Sequence, residues 1–212
     1  MDNSKTQTKQ TQTEISSHIA LELLKIGNDR FLKNKFLSRD YNEQISISSK
    51  GQFPFAIVLS CIDSRVPVET IFDQGIGDIF SVRVAGNVIS KDVLGSIEYA
   101  CKFAGVKLIV VLGHTSCGAV KGACDGLEHG NLTNLLKKIQ PAIDNTNTEL
   151  NEFRDSSNID FVNAVANNNL IQSIKDIKSK SITLKKMLQS KDVLISSAMY
   201  NVDSGIVNFN QP

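Results

Sequence analysis

From Glu14 onward, apolar residues recur at three- and four-residue spacing: Ile15, Ile19, Leu23 and Ile26, with Phe31 and Leu32 following. That period predicts an amphipathic helix to about Lys35. Residues 1–13 are rich in Thr, Gln and Lys and carry no apolar period, so they predict a disordered or loosely attached tail. After a breaker at residues 51–54, residues 55–60 read as a short buried strand. Pro67 suits the first turn of a helix to about Asp73, which Gly75 and Gly77 end. A second strand is expected over 79–84. A helix follows over 92–103, with Val93, Leu94, Ile97 and Ala100 on one side and Gly105 just beyond. Residues 106–112 form the clearest strand, with a helix expected from about Ser116. Segments 132–143, 161–177 and 182–188 read as helices. Residues 193–199 and 206–209 read as late strands, split by a turn at 201–205, and 144–158 as a loop.

Strands and helices that alternate in this way, with nearly continuous apolar strands, predict an α/β fold: a mainly parallel β-sheet flanked by helices. The chain has 212 residues, 41% of them hydrophobic, enough for one substantial core, so residues 14–212 are expected to form a single domain. Net charge is +1, which gives no bulk attraction to nucleic acid or membrane, and the lack of Trp argues against base stacking. No apolar run approaches a membrane span, and the N-terminal residues lack the apolar core of a signal peptide. A cytoplasmic protein is expected. In that setting Cys61, Cys101, Cys117 and Cys124 read as thiols or metal ligands rather than disulfides.

Two short motifs carry chemistry. Residues 60–67, SCIDSRVP, put Cys61, Asp63 and Arg65 at spacings of two, on one side if the chain stays extended. Residues 113–118, GHTSCG, offer His114 and Cys117. Both motifs follow predicted parallel strands, where open α/β sheets place their sites. Together they supply two thiolates and an imidazole, a tetrahedral zinc set with one position open, the pattern of a catalytic site. Cys117 falls in the first turn of the expected helix, which favours its thiolate. Gly118 lets backbone approach whatever binds there. Two thiolates cancel the charge of zinc, so its water is harder to ionise and activity should rise toward alkaline pH. Asp63 could accept the proton of a zinc-bound hydroxide and aim its lone pair, with Arg65 holding Asp63 ionised.

Taken singly, these residues have blander readings. Cys101 and Cys124 read as packing residues, and His18 and His129 as exposed. His114 alone would be a satisfied polar side chain, and Asp63 with Arg65 a structural ion pair. Residues 113–118 lack the Lys-Ser/Thr of a phosphate loop, and residues 75–80 the third Gly of a dinucleotide fingerprint.

Cys61-x-Asp63-Ser64-Arg65 with His114-x-x-Cys117-Gly118 resembles the β-class carbonic anhydrases. The likeness runs from residues 27–32 through Arg83-Val-Ala-Gly-Asn87 to the C-terminal YNVDSGIV. The resemblance implies reversible hydration of CO2 to bicarbonate and a proton by zinc-hydroxide attack, with one Zn2+ per chain. Cys61, His114 and Cys117 match the zinc ligands, and Asp63 with Arg65 the catalytic dyad. Gln52 matches a substrate-binding glutamine, Gly118 could offer its N–H to substrate, and Phe80, Ala85 and Tyr99 match an apolar substrate pocket. The family usually has a larger aliphatic residue at Ala85. The resemblance also implies a homodimer, or a tetramer of two dimers, with the site at the dimer interface. Residues 14–35 would then be an N-terminal helical arm reaching over the partner. In one subgroup the counterpart of Asp63 closes onto zinc as a fourth ligand, aided by bicarbonate near a Trp. Val58 stands at that Trp position, although Arg83 matches an arginine of the bicarbonate site. The plant-like, accessible subtype is therefore expected. Relatives that hydrolyse carbon disulfide or carbonyl sulfide remain an alternative, as does a zinc protein without turnover. Asp63, Arg65 and Gln52 argue against the last.

Overall fold

β-Branched and leucine residues fill the segments that become strands, and their flanking polar loops end them. The protein is described by a computed structural model covering residues 4–149 and 152–210. Residues 1–3 of the expected tail and 150–151 of the expected loop lie outside the described residues. The strands are β1 (Ala56–Ser60), β2 (Ile79–Arg83), β3 (Leu108–His114), β4 (Leu194–Tyr200) and β5 (Val207–Phe209). They form one sheet in the order β2-β1-β3-β4-β5. β2, β1, β3 and β4 are parallel, and β5 joins β4 antiparallel. The chain leaves β1 toward β2 on one side and returns to β3 on the other. The crevice past the ends of β1 and β3 is thus the switch point of the sheet.

The helices are α1 (Lys9–Glu14), α2 (Ser17–Leu32), α3 (Tyr41–Ser48), α4 (Val68–Ile71), α5 (Lys91–Lys102), α6 (Gly118–Cys124), α7 (Gly130–Leu136), α8 (Gln140–Asp144), α9 (Ile159–Lys180) and α10 (Ile182–Gln189). Every residue of β1 and β3 is buried, so alternate side chains feed two cores. Ile57, Leu59, Ile109 and Val111 pack on one face with Ile97 of α5 and Val165 and Leu170 of α9. Val58, Val110 and Leu112 pack on the other with Leu24 of α2 and Phe72 after α4.

The N-terminal region differs from expectation. The helix predicted from Glu14 begins only at Ser17, because Ile15 and Ser16 break the chain and Ser16 caps α2 by accepting from the Ile19 N–H. The segment expected to be a disordered tail contains α1, which is held by polar bonds rather than apolar spacing. Thr8 and Thr11 form a capping box. Gln12 is buried and its amide donates to Pro54 O and Ala104 O, each at 2.8 Å. Residues 132–143 are likewise two helices, because Pro141 opens α8 and cannot continue α7. α3 has no counterpart in the apolar pattern; Asp40 caps it, and its buried residue is Gln44.

Candidate metal centre

β1 and β3 run side by side with Leu59 opposite Val111, so Cys61 arrives next to the end of β3, where His114 sits. His114 is the last residue of its strand, not two residues beyond it as the predicted end at Leu112 implied. The chain then turns through Ser116, whose φ is +55°, and Cys117 becomes the N-cap of α6 rather than part of its first turn. Three bonds pin this loop: Thr115 N–H to Tyr200 O at 2.9 Å, Val202 N–H to Thr115 Oγ1 at 3.0 Å, and Ser116 N–H to Asn163 Oδ1 at 2.9 Å.

The ligand atoms of Cys61, His114 and Cys117 all lie within 4.8 Å of one another, and all three residues are buried. The two sulfurs are 3.9 Å apart. Two thiolates on one tetrahedral zinc stand about 3.8 Å apart, from a Zn–S bond of about 2.3 Å. His114 Nδ1 is 2.9 Å from Thr115 O; a carbonyl only accepts, so Nδ1 carries the proton. Nε2 is then a bare lone pair, buried and without a hydrogen-bond partner. An orphaned acceptor facing two sulfurs is costly unless a cation binds there. The Cys117 thiol donates toward Cys61 and draws it down to about 4 against the effect of burial. The same bond, with burial, pushes Cys117 up. The pair thus shares one proton, in the place a soft cation would take. The donor set fits zinc.

Asp63 and Arg65 meet through a turn, not through the extended chain expected from their spacing. Val66 N–H bonds Asp63 O at 3.0 Å. Arg65 grips both carboxylate oxygens, Nε to Oδ1 at 3.0 Å and Nη2 to Oδ2 at 2.8 Å, and its backbone N–H adds a third bond at 3.0 Å. That fork holds the Asp63 carboxyl down at about 2. Asp63 Oδ2 lies 3.8 Å from His114 Nε2, so the carboxylate borders the ligand cluster while remaining bound to Arg65. Arg83 reaches across from β2 and donates to Cys61 O at 3.0 Å and Asp63 O at 2.6 Å, fixing the loop that carries both.

Other predicted site residues divide into two groups. Ala85 lies in a 3₁₀ turn with Gly86, whose N–H donates to Cys61 Sγ at 3.3 Å, so this turn belongs to the centre. Gly118 opens α6, and a Cβ there would meet nothing within 4 Å, which leaves room for a small molecule. Phe80 and Tyr99 are elsewhere. Phe80 pairs with Ile57, four residues and about 13 Å before Cys61 along β1. Both rings line a cavity of about 600 Å³ that none of the ligand residues borders. Gln52 is exposed in the loop before β1, at the opposite end of that strand from Cys61. Asn163, Gly86 and the bridging role of Arg83 were not readable from the motifs.

The carbonic anhydrase family profile matches residues 56–207, which spans β1 to β5. The chain belongs to the β-class carbonic anhydrases. It is 34% identical to carbonic anhydrase 2 of Mycobacterium tuberculosis over 193 residues, covering 88% of this chain and 89% of that one. The β-carbonic anhydrase CafA of Aspergillus fumigatus has the same fold, with a TM-score of 0.69 at 25% identity over 81% of this chain and 83% of that one. Two tetrameric β-carbonic anhydrases of Sordaria macrospora are described together, and one matches with a TM-score of 0.68 at 24% identity, covering 79% and 86% of the two chains. In this β-carbonic anhydrase chain no helix among the described residues is long and apolar enough to cross a membrane.

Proposed function

We propose that this chain is a zinc-dependent enzyme that interconverts CO2 and water with bicarbonate and a proton. The observation that carries the reading is the buried, unpartnered His114 Nε2 facing two sulfurs beside an Arg-held carboxylate. Cys61, His114 and Cys117 would hold one zinc ion per chain. Bound zinc supplies Lewis acidity that lets water ionise near the working pH, tempered by two thiolates so that activity rises toward alkaline pH. The rest is done by the chain. Asp63, kept ionised by Arg65, accepts a hydrogen bond at Oδ2 from the attacking water and orients its lone pair toward carbon. The Gly118 N–H donates to a substrate oxygen in this reading, and the open space around Gly118 supports it. Asp63 is fully engaged by Arg65 and Val58 replaces the Trp of the closing subgroup, which supports the accessible, plant-like subtype. Residues 14–212 act as the catalytic domain in this reading.

Phe80, Tyr99 and Gln52 complete the site from a second copy of the chain. β2 is an edge strand, and Tyr99 and Phe103 stand exposed beside it, a face that a homodimer would cover. Tetramers such as those of Sordaria macrospora would pair two such dimers.

The deciding experiment measures bound zinc and CO2 hydration on one purified sample from neutral to alkaline pH, alongside Asp63→Asn. One zinc per chain and activity rising with pH are expected, with the variant losing about 100-fold or more in kcat while keeping its zinc. Full zinc with no hydration at any pH, or an unaffected variant, would overturn the reading.

A further inference from the structure

α9 buries two polar side chains on its apolar face, Asn169 and Ser173, one turn apart and each 2% exposed. Buried polar groups cost stability unless they are bonded. Asn169 Nδ2 donates to Gly86 O at 2.8 Å, and Ser173 Oγ donates to Asn87 O at 3.3 Å. They take successive carbonyls of a turn whose two residues are both left-handed, with φ of +65° at Gly86 and +44° at Asn87. Asparagine tolerates that backbone better than other residues with a Cβ, but two such residues in succession still gain from outside support. The other side of the turn is closed: a Cβ at Gly86 would stand 2.9 Å from Ile139 Cδ1 and 3.3 Å from Ala119 Cβ. α9 tethers the turn and α6 and Ile139 press on it. What emerges is the Gly86 N–H, aimed at Cys61 Sγ at 3.3 Å.

We propose that Asn169 and Ser173 are positioning residues that set how much charge Cys61 gives to the metal, by holding the Gly86 N–H against its sulfur. This rests on the zinc reading above. An N–H bond to a coordinated thiolate withdraws electron density that would otherwise pass to the ion, as partners behind a ligand do generally. Where two thiolates cancel a divalent charge, weakening one donor leaves the ion a stronger Lewis acid.

Cobalt(II) in the full-length protein reads this directly through its thiolate-to-metal charge-transfer band. Asn169→Asp keeps the side-chain size but turns an acceptor toward the Gly86 carbonyl, and so releases the turn. The band should move to longer wavelength as the sulfur orbitals rise, and in the diamagnetic zinc-loaded protein the Gly86 amide proton resonance should move upfield as its bond weakens. Asn167→Asp makes the same charge change on the exposed side of α9 and should move neither. Ser173→Ala is milder and should shift both signals the same way by less, which keeps the test decisive if the buried Asp variant does not fold. Folded Ser173→Ala, and Asn169→Asp if it folds, with an unmoved band when cobalt-loaded and an unmoved amide when zinc-loaded would refute the inference alone. An unmutated protein with no thiolate-to-cobalt band would refute the metal reading and this inference with it.

Discussion

Asp78 is buried just before β2, where the Gly75 N–H reaches Oδ2 at 2.7 Å. Burial outweighs that bond and the nearby charge of Arg39, and pushes the carboxyl up to about 6. The folded chain therefore binds this proton more tightly than the unfolded chain does. The resulting stability is fully present below about pH 4 and is lost as pH rises to about 6, a cost on the order of 3 kcal/mol. Asp63, held at about 2, works the other way: its stabilisation is present above about pH 4 and fades only as pH falls toward 2. The two windows do not overlap. Urea unfolding of Asp78→Asn and the unmutated protein from pH 4 to pH 7 should show the variant gaining relative stability across that range. Parallel curves would rule out the assignment. Residues of this kind explain what a sequence hides. Cys61, Asp63, Arg65, His114 and Cys117 were readable because each brings its own chemistry at a strand end. Asn169 and Gly86 act on each other across 83 positions through a backbone carbonyl. Their signal was a polar residue at an apolar helix position, which needs the partner's position to interpret.

At the scale of elements, the strands and long helices were legible because burial wrote a period into them. α1 was not, because what holds it is directional rather than apolar. Gln12 satisfies two carbonyls, and Lys107 Nζ gathers the C-terminal end of the helix, donating to Gln12 O, Thr13 O and Ile15 O at 2.8–3.3 Å. α3 was hidden for a similar reason: Ile45 and Ile47 alternate like a strand yet stand exposed, while Gln44 is the buried residue and accepts from the Ile76 N–H. Gln12→Leu fills the space but leaves the carbonyls of Pro54 and Ala104 without their donor. It should cost about 1–3 kcal/mol in urea unfolding. Removing residues 1–13 should lower stability in urea unfolding by a similar margin. A truncated chain as stable as the full one would restore the loose tail that composition suggested.

At the scale of the whole molecule, one chain holds the ligand cluster and the carboxylate at one end of β1 and the aromatic cavity and Gln52 toward the other. The Phe80 and Tyr99 ring centroids are 6.4 Å apart and those of Tyr99 and Phe103 6.2 Å, so an aromatic row lies along the open side of β2 with little to cover it. No pattern within a sequence can show where a second copy would lie, so Phe80, Tyr99 and Gln52 could be named as pocket candidates but not placed. If each site takes its metal ligands from one copy and its pocket from the other, two separately inactive variants should rescue each other. Asp63→Asn spoils the first half, and Gln52→Ala with Tyr99→Ala spoils the second. In a mixed dimer both lesions fall on one site and the other site is intact. Random pairing of equal amounts makes half the dimers mixed, so hydration should recover to about a quarter of the unmutated rate. Sizing of each parent confirms that it still pairs. A mixture no more active than the mean of its parents would mean that each chain builds its site alone.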